Sequence, residues 1–154
     1  MTTNVTRIQC HLKAPPDQVY RALIDPQAVS IWMTPDDMTS DVHEFNAQVG
    51  GAFRISLTYH DPAGTGKTTA HTDTYHGHFV QLVPNEQVIE VMAFETTDPA
   101  MQGEMRLTFT LTAVDGGTDL LAVHENLPPG LSTADNEIGW TMALDKLAIL
   151  VAEG

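Results

Sequence analysis

The sequence is short of cations, has a single cysteine and contains no long apolar run. Seven Lys and Arg stand against twenty Asp and Glu, a formal net charge of −13. Such a field repels phosphate backbones and anionic lipid surfaces, so nucleic acid and membrane surfaces are not expected partners. The acidity suits solubility and leaves a basic protein partner open. Cys10 alone cannot form an intramolecular disulfide, which fits a reducing compartment. It lies in an alternating pattern, where a buried, inert thiol is the expectation. No apolar stretch approaches the roughly 18 residues that span a bilayer. Residues 1–13 lack a basic region followed by an apolar core, so neither a signal peptide nor an anchor is expected. The sequence-level expectation is a cytoplasmic chain without membrane insertion, in which the sequon Asn4-Val5-Thr6 carries no weight.

The chemistry-bearing motifs are equally sparse. No Ser–His–Asp or Cys–His arrangement has a persuasive spacing, so no catalytic residue is assigned. Without a cysteine pair or an HExxH frame, no metal site is expected, and no cofactor is called for. Gly64-Thr65-Gly66-Lys67-Thr68 resembles the end of a phosphate-binding loop, but that pattern needs a glycine where Asp61 stands. The segment reads instead as part of a loop over 60–73.

What the sequence does have is patterning. Its 154 residues, 42% of them hydrophobic, fit one domain spanning 1–154. Residues 5–12 alternate, with Thr6, Ile8, Cys10 and Leu12 on the more apolar side, as in a half-buried strand. Pro15-Pro16-Asp17 then starts a short helix carrying Val19, Ala22 and Leu23. Asp25-Pro26 ends it and caps another, with Ala28, Val29, Trp32 and Met33. Period-two patterning follows over 42–45, 53–59, 74–83 and 88–94, and then through Met105, Leu107, Phe109 and Leu111. Asp115-Gly116-Gly117 is a hairpin turn leading into a last strand over 119–125. After Pro128-Pro129-Gly130, a capping-box pattern from Ser132 to Asp135 opens a helix over about 134–151. Trp140, Leu144, Leu147 and Val151 share one face of that helix. Ile138, Met142 and Ile149 are expected to widen the buried stripe. Short links between consecutive strands make the sheet antiparallel, and the segregated helices place the chain in the α+β class.

In this order the residues resemble the START-like (Bet v 1-like, SRPBCC) superfamily with its helix-grip fold. Within it, the likeness is to the branch of activator of heat-shock protein 90 ATPase homologue-like proteins. The resemblance rests on Ala14-Pro15, the helix from Val19 to Leu23, Asp25-Pro26 with Trp32, and Gly50-Gly51-Ala52-Phe53-Arg54. It continues through Gly77, Leu82, Pro84 and Val88, Gly117-Thr118, His124 before Leu127-Pro128, and Gly139-Trp140 with Leu144 and Leu147. The resemblance implies a curved antiparallel sheet of six to seven strands around the long C-terminal helix, with a cavity between them. It also implies binding of a small hydrophobic or aromatic molecule. The lining expected for such a pocket is Trp32, Met33, Phe53, Ile55, Phe79, Met92, Phe94, Met105, Leu107, Trp140 and Leu144, with His124 as its polar member.

Other readings remain open. The superfamily includes cyclases and dehydratases, for which His124 at the end of an inward strand face is the candidate proton-transfer residue. A co-chaperone-like interaction domain is a further alternative, although a chaperone partner is not expected here. A homodimer is left open. His76 and His78, two apart on a strand, are expected on the outer face with Val80 if Phe79 points inward. Arg54, Arg106, Glu44, Glu90 and Glu104 are expected to face outward in cross-strand pairs.

Overall fold

A computed structural model describes residues 5–60 and 71–153. The loop containing Gly64 to Thr68 therefore lies outside the described residues. Strand β1 (Thr6–Leu12) is followed by helices α1 (Pro16–Ile24) and α2 (Pro26–Trp32). Strands β2 (Met38–Phe45), β3 (Ala52–Tyr59), β4 (Thr72–Val83), β5 (Gln87–Phe94), β6 (Met105–Val114) and β7 (Gly117–Glu125) come next. Helix α3 (Thr133–Glu153) closes the chain. The strands form one antiparallel sheet in the order β1-β7-β6-β5-β4-β3-β2. This is the helix-grip α+β fold.

Local chemistry explains the element boundaries. Pro16 and Pro26 each occupy a first helical turn, where a missing N–H costs nothing. The Asp25 carboxylate accepts from the Gln27 amide at 2.9 Å, capping α2 while ending α1. At α3, the Ser132 hydroxyl accepts from the Asp135 amide at 3.2 Å, one half of the expected capping box. The β6–β7 turn uses Gly116 at φ +82°, a conformation that side chains rarely adopt. Gly77 serves another purpose: a Cβ there would lie 1.8 Å from the Val91 carbonyl oxygen, so only glycine lets β4 approach β5 this closely.

The two short helices connect β1 and β2, which lie at opposite edges of the sheet. Together with α3 they cover its inner face. Trp32 is buried, and its indole N–H donates to the Ala22 carbonyl at 2.9 Å, tying α2 to α1. Trp32, Phe109 and Trp140 meet with ring centroids 5.8 to 6.5 Å apart, so α2, β6 and α3 share one aromatic cluster. A second cluster joins Phe45, Phe53, Tyr75 and Phe79 beneath the other end of the sheet.

The expected width of the buried stripe on α3 is corrected. Trp140, Leu144, Leu147 and Val151 are buried, but Ile138 and Ile149 are 60% and 61% exposed, and Met142 is also exposed. Successive residues advance about 100° around a helix, which places these three on the side away from the sheet. Cys10 is half-buried rather than buried, and burial followed by the charges of Asp145 and Asp119 raises its pKa. No helix among the described residues is long and apolar enough to cross a membrane.

Candidate functional site

A cavity of about 300 Å³ opens between the inner face of the sheet and the first half of α3. That is the lower end of the size of small-molecule sites. Its walls are mainly apolar. Met33 at the end of α2 and Met38 at the start of β2 flank it, Met92, Phe94 and Met105 line it from β5 and β6, and Trp140 and Ala143 line it from α3. Leu57, Tyr59, Asp73 and Tyr75 contribute from β3 and β4. The exposed side chains of Asp37 and Asp135 stand at its rim.

Of the twelve expected lining residues, Met33, Met92, Phe94, Met105, His124 and Trp140 line this cavity. Trp32, Phe53 and Ile55 lie deeper, around a separate void of about 10 Å³ that also touches Met33, Tyr75 and Glu90. Phe79, Leu107 and Leu144 are packed in the core. The aromatic residues of the deeper layer are pressed against one another, which is why shared inward parity did not make them lining. Tyr75, Leu57 and Ala143 were missed; Tyr75 carries the same inward signal as Phe79, two β4 positions of matching parity across Gly77.

His124 is the polar centre of the cavity wall. It is 6% exposed, near the end of β7. The Trp140 indole N–H donates to its Nδ1 at 3.1 Å, and the Asn136 amide nitrogen donates to the same atom at 3.1 Å. Asn136 also donates to the Thr6 hydroxyl at 2.9 Å, which anchors the amide between β1 and β7. An indole nitrogen can only donate, so Nδ1 must be the acceptor and the neutral ring carries its proton on Nε2. That Nε2–H is closed off from solvent and has no partner among the described residues. Burial holds the imidazole pKa down at about 4, so the ring is neutral at physiological pH. A buried donor without an acceptor costs roughly 1–3 kcal/mol.

Glu90 corrects the outward assignment. It is 7% exposed and faces inward, because β5 registers Glu90 opposite Phe79 on β4 and opposite Leu107 on β6. Leu107 in turn stands opposite His124, and His124 opposite Thr6. Phe79, Glu90, Leu107, His124 and Thr6 thus form one lateral row across five strands, all buried. Burial pushes the Glu90 carboxyl up to about 8, so it is protonated at neutral pH. The Tyr75 hydroxyl is raised by burial and then by the neighbouring Glu90 charge.

Arg54 behaves as expected, facing outward. It makes two hydrogen bonds to Glu95, at 2.7 and 2.9 Å, and His76 Nδ1 lies 3.1 Å from the same carboxylate. The guanidinium holds the Glu95 pKa below the ordinary carboxylate range. Arg106, Glu44 and Glu104 are exposed, as are His76 and His78.

The family described as "Activator of Hsp90 ATPase homolog 1-like protein" matches residues 13–152. The chain belongs to this family. A search of curated proteins finds no match. A protein from Chromobacterium violaceum is 32% identical, with 96% of each chain covered and a TM-score of 0.86. A protein from Rhodobacter sphaeroides is 20% identical over 97% of this chain and 92% of its own, with a TM-score of 0.80. One from Rhizobium leguminosarum is 20% identical over 99% and 97%, with a TM-score of 0.76. The last two share the fold; the first also supports family membership. The family's fold is of a ligand-binding kind, and neither its description nor these relatives specify a ligand.

Proposed function

We propose that this family member binds a small, mainly apolar or aromatic molecule in the cavity between α3 and the sheet. The observation behind the reading is the cavity of about 300 Å³ itself, whose wall is mainly apolar and includes the buried His124. Plain core packing would fill such a space. Met33, Met38, Met92 and Met105 suit such a cavity, because thioethers repack at little cost.

The cyclase or dehydratase reading asks His124 to take up a proton. Its Nδ1 lone pair is occupied and its pKa lies near 4, so it is a poor base. The co-chaperone reading would rest on the exposed strip of Ile138, Met142 and Ile149, and nothing on that strip specifies what covers it.

The test uses the neutral fluorophore N-phenyl-1-naphthylamine. The wild-type protein should enhance its fluorescence saturably, with one site per chain. Ala143→Phe, which fills the cavity from α3, should weaken that binding at least about tenfold, consistent with overpacking of a formed site. Absence of saturable binding, or binding indifferent to Ala143→Phe, would overturn the proposal.

A further inference from the structure

Resting on that cavity reading, we infer that residues 34–37 are a movable wall of the cavity, clamped to α3 by Lys146, and that this clamp sets the upper size of the ligand. Lys146 is then a specificity-determining residue that lies outside the cavity it governs.

The segment joins α2 to β2 without regular structure, because Pro35 disfavours a helical conformation at Thr34. Pro35 and Asp37 line the cavity, as do Met33 and Met38 on either side of the segment. Its two ends are anchored. The Thr34 hydroxyl donates back to the Ser30 carbonyl in α2, and the Asp37 carbonyl accepts from the His60 amide at 2.8 Å. Between these anchors the hold on α3 is a single side chain. The Lys146 ammonium reaches the Asp36 carboxylate at 2.6 Å and donates to the Thr34 carbonyl.

Packing adds little to that hold. A second void of about 40 Å³ lies between the segment and α3, and it shares Met33, Pro35, Gly139 and Ala143 with the cavity. A Cβ built on Gly139 would meet no heavy atom within 4 Å outside its own helix. An interior at normal density leaves no such seam, so dispersion contacts there are few. Charge sharpens the dependence on Lys146. It is the sole cation of α3, whose acids are Asp135, Glu137, Asp145 and Glu153, while the segment brings Asp36 and Asp37. A ligand too long for the cavity gains room by lifting the segment, which joins the two spaces and breaks the clamp. The Asp36 side chain is 77% exposed, so the clamp yields at modest cost and limits size without fixing it.

A series of 1-alkanols from octanol to tetradecanol, competing against N-phenyl-1-naphthylamine, measures the limit. In the wild type each added methylene should tighten binding about fourfold until the cavity is full, and further methylenes should then add nothing. Lys146→Met keeps the stem and removes the charge. In it the gain should continue for about two more methylenes, so that the longest alkanols bind about tenfold more tightly than to the wild type. Alkanols shorter than the wild-type limit should bind the two proteins within about twofold of each other, and Lys146→Arg should keep the wild-type limit. Asp36→Ala, on the exposed side of the clamp, should move the limit in the same direction by a smaller step, and it decides the matter if Lys146→Met does not fold. A limit at the same length in every variant, uniform weakening at all lengths, or no limit in the wild type would overturn the inference and leave the cavity reading standing. Absence of saturable fluorophore binding together with no effect of any alkanol would overturn both.

Discussion

The two faces of the central sheet treat their ionisable groups in opposite ways. On the outer face, Arg54 and His76 are exposed, and both bond to the half-exposed carboxylate of Glu95. On the inner face, Glu90 and His124 flank Leu107 in a single row, each buried and each shifted toward its neutral form. Strand patterning is similar on the two sides, a polar residue interrupting apolar alternation. The difference is solvent. Water and a partner keep an outer charge cheap, whereas an inner group must shed its charge to remain. Groups retained inside at that cost are the ones with a claim to function.

The largest test of the comparison is Leu107→Ala. Leu107 is fully buried between the two inner ionisable residues, and its loss opens a gap in the middle of the row. Urea denaturation should show a loss of about 4 kcal/mol, within the range for buried leucines. Arg106→Ala, one position away on the outer face, should leave the midpoint nearly unchanged. Similar losses from the two would mean that the sheet is not divided as described.

The fold was legible in the sequence because period and punctuation agree. Prolines at 15, 16 and 26, the Gly116 turn and the switch from helical to two-residue period place each element within a few residues. Strand β2 is the main shortfall: it begins at Met38, four residues before the expected 42, since its early residues do not alternate apolar with polar. The inner site was half legible. His124 follows the inward parity of Leu120 and Ala122, so its place could be read. Glu90 could not be assigned from parity, because Ile89 and Val91 on the other side of β5 are buried as well. The signal available was a carboxylate inside a continuous apolar run from Val88 to Met92. The exposed Ile138, Met142 and Ile149 show the converse limit: apolar character does not by itself say which side of a helix is covered.

Glu90 gives a test of intermediate size with a defined sign. In the folded chain its carboxyl keeps its proton to about pH 8, while the ordinary value is 4.5. Between those values the folded state binds more protons than the unfolded one, so stability falls as pH rises through the window and levels off above it. His124 acts oppositely: its pKa falls from 6.5 to about 4, so its contribution is lost as pH falls through that range. Glu90→Gln keeps the shape and removes the proton. It should match the wild type near pH 4.5 and exceed it at pH 8.5 by on the order of 3 kcal/mol. Urea midpoints at both pH values check this, and an unchanged difference between them would place Glu90 in contact with water.

The smallest expected effect belongs to Arg54→Ala, and it sharpens the comparison from the other side. The guanidinium and the Glu95 carboxylate make two well-placed hydrogen bonds, which on the inner face would be costly to break. Here both side chains are in reach of water, so each regains hydration when the other is removed. The urea midpoint should therefore move little, and raising the salt concentration should shrink even that difference by screening the wild-type pair. Glu95 should respond more clearly than the stability does. With the arginine gone, its pKa should rise back toward the ordinary range, leaving only the weaker contribution of His76 to hold it down. Carbon-detected NMR titration of Glu95 would follow that change directly. A large destabilisation without movement of the Glu95 pKa would show that Arg54 acts through packing of its stem, and would remove the outer face as the solvated counterpart of the inner row.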